Sequence, residues 1–107
     1  MKHTAAHVIK ETHESRELSL WSENTQSIYK EIEAAAEYFA KKMKKGLFEE
    51  AKAVDRLYPV ATAAAQKYCR EFGGLYYQVF NVTARYTAAA YLAEVAKERA
   101  LELLEEI

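Results

Sequence analysis

A chain of 107 residues is long enough for one domain and too short for two. Half of its residues are hydrophobic and 29% are charged, which excludes a disordered chain and is typical of a globular protein. The net charge of -1 provides no overall field toward nucleic acid or an anionic membrane, so only a local patch could bind either. One cysteine excludes an internal disulfide, and no apolar stretch is long enough to span a membrane. We therefore expect a cytoplasmic protein.

The composition predicts an all-α fold, a small bundle of three to four helices in a single domain over residues 1–107. Alanine, glutamate, lysine and leucine dominate, whereas the chain has only 3 glycines and 1 proline. In chain order, the first segment shows the weakest helical periodicity. Residues 1–21 mix short apolar groups with many polar residues, so we expect this segment to be mobile or peripheral.

Two segments before residue 73 show strong helical periodicity. In residues 24–45 apolar residues recur at spacings of four and three, Asn24 can cap the start, and Gly46 can supply the left-handed end. In residues 47–72 the same alternation passes through Pro59 without a break. We therefore expect one long helix kinked at Pro59 rather than two separate helices.

The last strong pattern runs from about residue 82 to 106, and Asn81 or Thr83 can cap it. We call the row of apolar residues that recurs at spacings of four and three the seam of a helix. Most seam positions of this last helix are alanines, and Ala61 and Ala65 lie in the seam of the preceding helix. Small seam residues allow the two long helices to approach closely as an antiparallel pair. Additional apolar residues broaden the face of the last helix, so we expect it to contact more than one neighbour.

The breadth of this apolar face also predicts a homodimer, because a monomer would expose part of it. The predicted interface residues are Leu92, Val95, Leu101 and Leu104. In the alternative arrangement, residues 1–21 fold back over this face with Leu18 and Trp21 as its cover.

The chain has few residues that could form a catalytic site or bind a cofactor. Asp55 is the only aspartate, and no glycine-rich phosphate loop or Ser-His-Asp set occurs. Cys69 has basic neighbours that could lower its thiol pKa, but a buried structural cysteine is the stronger interpretation. His3, His7 and His13 form the only metal-like cluster, and solvated histidines account for them better than a metal site. We therefore expect no enzyme activity, no cofactor and no metal ion.

Lysines and tyrosines are the candidates for binding. A lysine cluster from Lys41 to Lys52 complements the dipole of a helix end, and it also supports the alternative function of nucleic-acid binding. Eight tyrosines are many for this length, and those outside the seams suit either a protein interface or packing at helix edges. The predicted partner-binding residues are Tyr38, Tyr76, Tyr77, Tyr91, Lys41, Lys42, Lys44 and Lys45.

Residues 44–92 contain a series of single residues and short motifs at characteristic spacings. They are Lys45-Gly46, then Ala51, Leu57, Val60 and Ala63-Ala64, then Tyr68-x-x-Glu71-Phe72-Gly73, and finally Phe80, Arg85 and Ala89. In this pattern the chain resembles uncharacterised small helical proteins encoded by bacteriophages and prophages. The resemblance carries no catalytic or binding residues. It implies a bacterial cytoplasm during phage infection or lysogeny, where small accessory proteins bind host proteins, including components of immune systems.

Three functions remain open at this point. The leading hypothesis is a non-enzymatic, phage-encoded accessory protein that binds a host protein and inhibits a host defence system such as a CRISPR effector. The first alternative is a small nucleic-acid-binding module that uses the Lys41–Lys52 cluster. The second is a self-assembling structural subunit. No membrane partner is expected.

Overall fold

Four helices account for nearly all of the computed structural model, which describes residues 13–73 and 81–106. They are α1 (His13–Asn24), α2 (Gln26–Lys44), α3 (Glu50–Phe72) and α4 (Val82–Glu105). These two ranges contain no β-strand, and the predicted all-α bundle is confirmed. None of the described helices is both long enough and apolar enough to cross a lipid bilayer.

The helix α4 lies at the centre of the bundle and contacts each of the other three. Its most extensive interfaces are with α3 and α2, whereas α2 and α3 contact each other much less although they are consecutive. Alanine supplies most of its buried side chains, so neighbouring backbones can come close. The prediction that this helix contacts more than one neighbour is confirmed. Its buried residues are Ala84, Ala88, Ala89, Leu92, Ala93, Ala96 and Ala100.

The helices α3 and α4 form the antiparallel pair that the sequence predicts. Near the start of α3, Glu50 pairs with Lys97 in the second half of α4. Further along α3, the Tyr58 ring stacks on the Tyr86 ring with centroids 4.1 Å apart. The helix α3 continues through Pro59, whose side chain is exposed, so the proline ring does not disturb the packing against α4. One helix rather than two is confirmed, and the kink stays a prediction.

Among the predicted helix-end residues, Asn81 and Gly46 take their expected roles. The Asn81 side chain accepts a hydrogen bond from the Ala84 amide at 2.8 Å, and Gly46 ends α2 with a φ of 74°. The prediction that Asn24 caps the next helix is wrong, because Asn24 is the last residue of α1. Its side chain donates back to the Leu20 carbonyl, and the Thr25 hydroxyl donates to Trp21, so neither caps α2.

The described part of residues 1–21 is not peripheral, which corrects our expectation. Leu18 is fully buried in the core, and Ser15, Ser19 and Ser22 are buried on the same face of α1. The Ser19 and Ser22 hydroxyls donate to backbone carbonyls four residues earlier, at 2.7 and 2.6 Å. Satisfied hydroxyls can be buried at low cost, and their small volume lets α1 pack against α4. Residues 1–12 lie outside the described residues.

The predicted dimer interface is wrong for Leu92, which is fully buried within a single chain. Val95 and Leu104 are half-buried and pack against the same core. Of the predicted set only Leu101 is exposed, at 46%. The helix α1 contacts α4, with Leu18 in the core and Trp21 packed against it, as the alternative arrangement predicts. A homodimer itself stays a prediction.

We predict that Leu18→Ala lowers the free energy of unfolding by about 2–5 kcal/mol, because it opens a cavity between α1 and the core. Leu20→Ala is the matched control, since Leu20 is exposed, and should cost at most about 0.5 kcal/mol. Urea denaturation followed by circular dichroism measures both. Equal effects of the two substitutions would show that α1 is not part of the cooperative core.

We predict that Ala65→Leu or Ala93→Leu destabilises the protein by about 1–3 kcal/mol, because both alanines are buried where helices meet. The exposed Ala34 provides the control, and Ala34→Leu should leave the unfolding midpoint nearly unchanged. Thermal unfolding of the three variants is the measurement. Unchanged midpoints in both seam variants would contradict close packing around α4.

Candidate functional site

A groove of about 480 Å³ opens at the corner where α2 ends and α3 begins. Its floor is apolar, because the buried residues Phe39 and Ala53 lie beneath it. Phe48 packs edge-on against Phe39 with ring centroids 5.4 Å apart. Leu47 also lines the groove and is 56% exposed. The groove therefore offers apolar surface directly to solvent.

Two cations surround one tyrosine at the rim of this groove. The Arg56 guanidinium lies 4.1 Å from the centroid of the Tyr38 ring, and the Lys42 ammonium lies 5.4 Å from the same centroid. Both distances suit cation–π attraction, which holds the two long side chains at the groove. No described carboxylate forms a salt bridge with Arg56 or Lys42. The rim therefore presents two cations without an acidic partner among the described residues.

The acidic residues nearby offset this positive charge only in part, since Lys42, Lys52 and Arg56 line the groove against Glu49 and Asp55. Glu49 pairs with Lys52 at 3.4 Å, and Glu50 pairs with Lys97 of α4. Asp55 also lines the groove. Residues 38–56 contain six of the fifteen basic residues of the chain but only three of its sixteen acidic residues. A locally basic corner thus exists on a protein whose net charge is -1.

The structure divides the described members of the predicted partner-binding set into three groups. Tyr38 and Lys42 line the groove. Lys41, Lys44 and Lys45 are exposed at the same end of α2 but outside its lining. The third group does not contribute: the Tyr91 hydroxyl donates to Glu23 at 2.6 Å, on the contact between α1 and α4. Tyr76 and Tyr77 lie outside the described residues.

Sequence reasoning missed Arg56, Phe48 and Leu47 as site residues. The sequence pattern predicts that the helix through Pro59 begins at Leu47, whereas α3 begins only at Glu50 and Leu47 lies in the link between α2 and α3. In the sequence, only Gly46 at the end of α2 indicates that these residues come together. A left-handed turn there reverses the chain, and it brings the first turns of α3 beside the last turns of α2.

A second aromatic cluster joins α1 to the end of α3. The Trp21 ring meets the Tyr68 ring edge-on at 5.4 Å between centroids, and the Phe72 ring lies 4.7 Å from that of Tyr68. The Tyr68 hydroxyl donates to the Glu17 carboxylate, and this hydrogen bond is the main cause that raises the pKa of Tyr68 to about 12. These contacts have a structural role, because they fix α1 against α3.

Cys69 is buried, as the sequence predicts, and its burial raises the pKa of the thiol. A protonated, buried thiol is a poor nucleophile. Within residues 13–73 and 81–106, no group of three or more His, Cys, Asp or Glu residues could hold a metal ion. His3 and His7 lie outside those ranges, and the side chain of His13 is not described.

We predict that Cys69 reacts with a disulfide reagent such as Ellman's reagent at least about tenfold more slowly in the native protein than in urea. Burial keeps the thiol protonated and blocks its access to the reagent. Absorbance at neutral pH measures both rates. A native rate equal to or above the unfolded rate would identify an activated thiol instead.

Comparison with protein-family models, with curated proteins and with solved structures finds no match to this chain. The resemblance to small phage proteins therefore stays an interpretation of the sequence. What the fold and the site define is a class: a small α-helical protein with an open groove that has a basic rim and an apolar floor.

Proposed function

We propose that this protein is a non-enzymatic binding protein that holds another protein through the groove between α2 and α3. The observation that carries this proposal is the placement of Arg56 and Lys42 around Tyr38, above the apolar floor. Protein interfaces are enriched in tyrosine, phenylalanine and arginine, and their strongest contacts are aromatic or arginine anchors beside apolar pockets. The groove combines these features in one place.

The same contacts favour a protein partner over nucleic acid. Single-stranded nucleic acid binds by stacking its bases on exposed aromatic faces along a basic path. Here the Arg56 guanidinium lies over the Tyr38 ring, and the Phe48 ring packs against Phe39. Both aromatic rings that line the groove beside its cations are thus already engaged by other side chains, which favours a protein partner over stacked bases.

The sequence resemblance supplies the cellular context of the proposal. It leads us to place the protein among phage-encoded accessory proteins that act in a bacterial cytoplasm, where the partner is a host protein. Inhibition of a host defence system, such as a CRISPR effector, is the role that this context favours. A self-assembling subunit is disfavoured, because Leu92 of the expected self-contact face is buried within one chain.

We predict that immobilised protein captures a specific protein from a nuclease-treated bacterial lysate and that Arg56→Glu abolishes the capture. The substitution places a negative charge at the rim and removes the cation over Tyr38. Arg70→Glu is the matched control, since Arg70 is an exposed arginine on the same helix but outside the groove lining. Quantitative mass spectrometry compares the captured proteins.

Retention by Arg70→Glu and loss by Arg56→Glu, with both variants folded by circular dichroism, is the expected result. Capture of the same proteins by all three forms would exclude the groove as the binding site. Capture that occurs from an untreated lysate but not from the nuclease-treated lysate would instead favour the nucleic-acid alternative.

A further inference from the structure

We infer that the groove binds an acidic segment of the partner protein that carries an apolar anchor side chain. This inference rests on the proposed function and specifies its ligand: carboxylates bind the cations at the rim, while one aromatic or aliphatic side chain enters the apolar floor. Charge, exposure and volume each support a part of this assignment.

The first support is the pair of cations at Tyr38. Arg56 and Lys42 lie within 5.4 Å of one ring centroid, so carboxylates on a single short segment can reach both. The two positive charges repel each other, and an anionic segment relieves this repulsion. The Arg56 guanidinium also has donors arranged to bind a carboxylate through two parallel hydrogen bonds.

The second support is a third cation, Lys52, whose ion pair within the protein is weak. Lys52 pairs with Glu49 at 3.4 Å, but both side chains are mostly exposed, at 78% and 59%. Exposed ion pairs contribute little to stability because water screens them, so Lys52 can readily exchange its partner. A carboxylate of the partner can replace Glu49 at little cost. The groove thus holds three cations that an acidic segment can engage.

The third support is the exposed apolar surface of the groove, together with its volume. Leu47 is exposed and Phe48 is half-buried, so apolar surface remains in contact with water at the groove. The volume of about 480 Å³ lies in the range of about 300–1,000 Å³ that is typical of sites for small organic groups. One or two side chains fit this space. A purely charged ligand would leave the apolar floor unused.

Fluorescence anisotropy with synthetic peptides tests the inference directly. The probe is a labelled peptide of about twelve residues, rich in Asp and Glu, with one central phenylalanine. One control peptide has every Asp and Glu replaced by its amide, and another has serine in place of phenylalanine. An unlabelled single-stranded oligonucleotide serves as the competitor of different chemistry.

We predict that the acidic peptide binds, that both control peptides bind more weakly, and that added salt weakens the binding. Arg56→Ala should weaken it about tenfold or more, because a charged hydrogen bond is lost. Leu47→Ser tests the apolar floor without disturbing the core, and it should weaken binding several-fold. Lys30→Ala, at an exposed lysine of α2 outside the groove lining, should change the affinity less than about twofold.

Equal affinity of the acidic and amide peptides, or unchanged affinity in Arg56→Ala, would overturn the inference. Displacement of the peptide by lower concentrations of oligonucleotide than of acidic peptide would also overturn it. If no peptide binds while Arg56→Glu still abolishes capture from lysate, the ligand chemistry inferred here is wrong and the proposed function stands.

Discussion

Alanine side chains fill most of the buried surface of α4, and this lets α1, α2 and α3 all pack around one central helix. A helix with larger seam residues would hold its neighbours farther apart. Because α4 lies between α2 and α3, these consecutive helices contact each other much less than each contacts α4. Their corner stays open, and the groove is the result.

The ends of the helices give the groove its charge. Lys41, Lys42 and Lys44 occupy the last turn of α2, where cations complement the helix dipole. Gly46 then reverses the chain, so the early turns of α3 bring Arg56 to the same ring that Lys42 approaches. Lys42, one of the lysines that complement the dipole at the end of α2, therefore also lines the groove.

The sequence predicts the helices well, because periodicity and end residues report local structure. It does not predict which polar residues are buried. As polar residues, Ser19 and Ser22 are expected at the surface, but their hydroxyls donate hydrogen bonds to carbonyls of their own helix and can therefore be buried. The apolar pattern likewise predicts that Leu92 is exposed at a dimer interface, whereas α1, α2 and α3 all pack around α4 and Leu92 is fully buried. The sequence does not indicate Arg56 as a site residue, because its position depends on the Tyr38 ring eighteen residues earlier, a separation that helical periodicity does not report on.

The central claim is that the open corner between α2 and α3 is where this protein binds its partner. Nuclear magnetic resonance titration of the isotope-labelled protein with the acidic peptide tests it most directly, because it reports on every backbone amide. The account predicts progressive chemical-shift changes confined to residues 38–56, with α1 and the first half of α4 unchanged. Changes centred on α1 or along α4, with the corner unaffected, would contradict it.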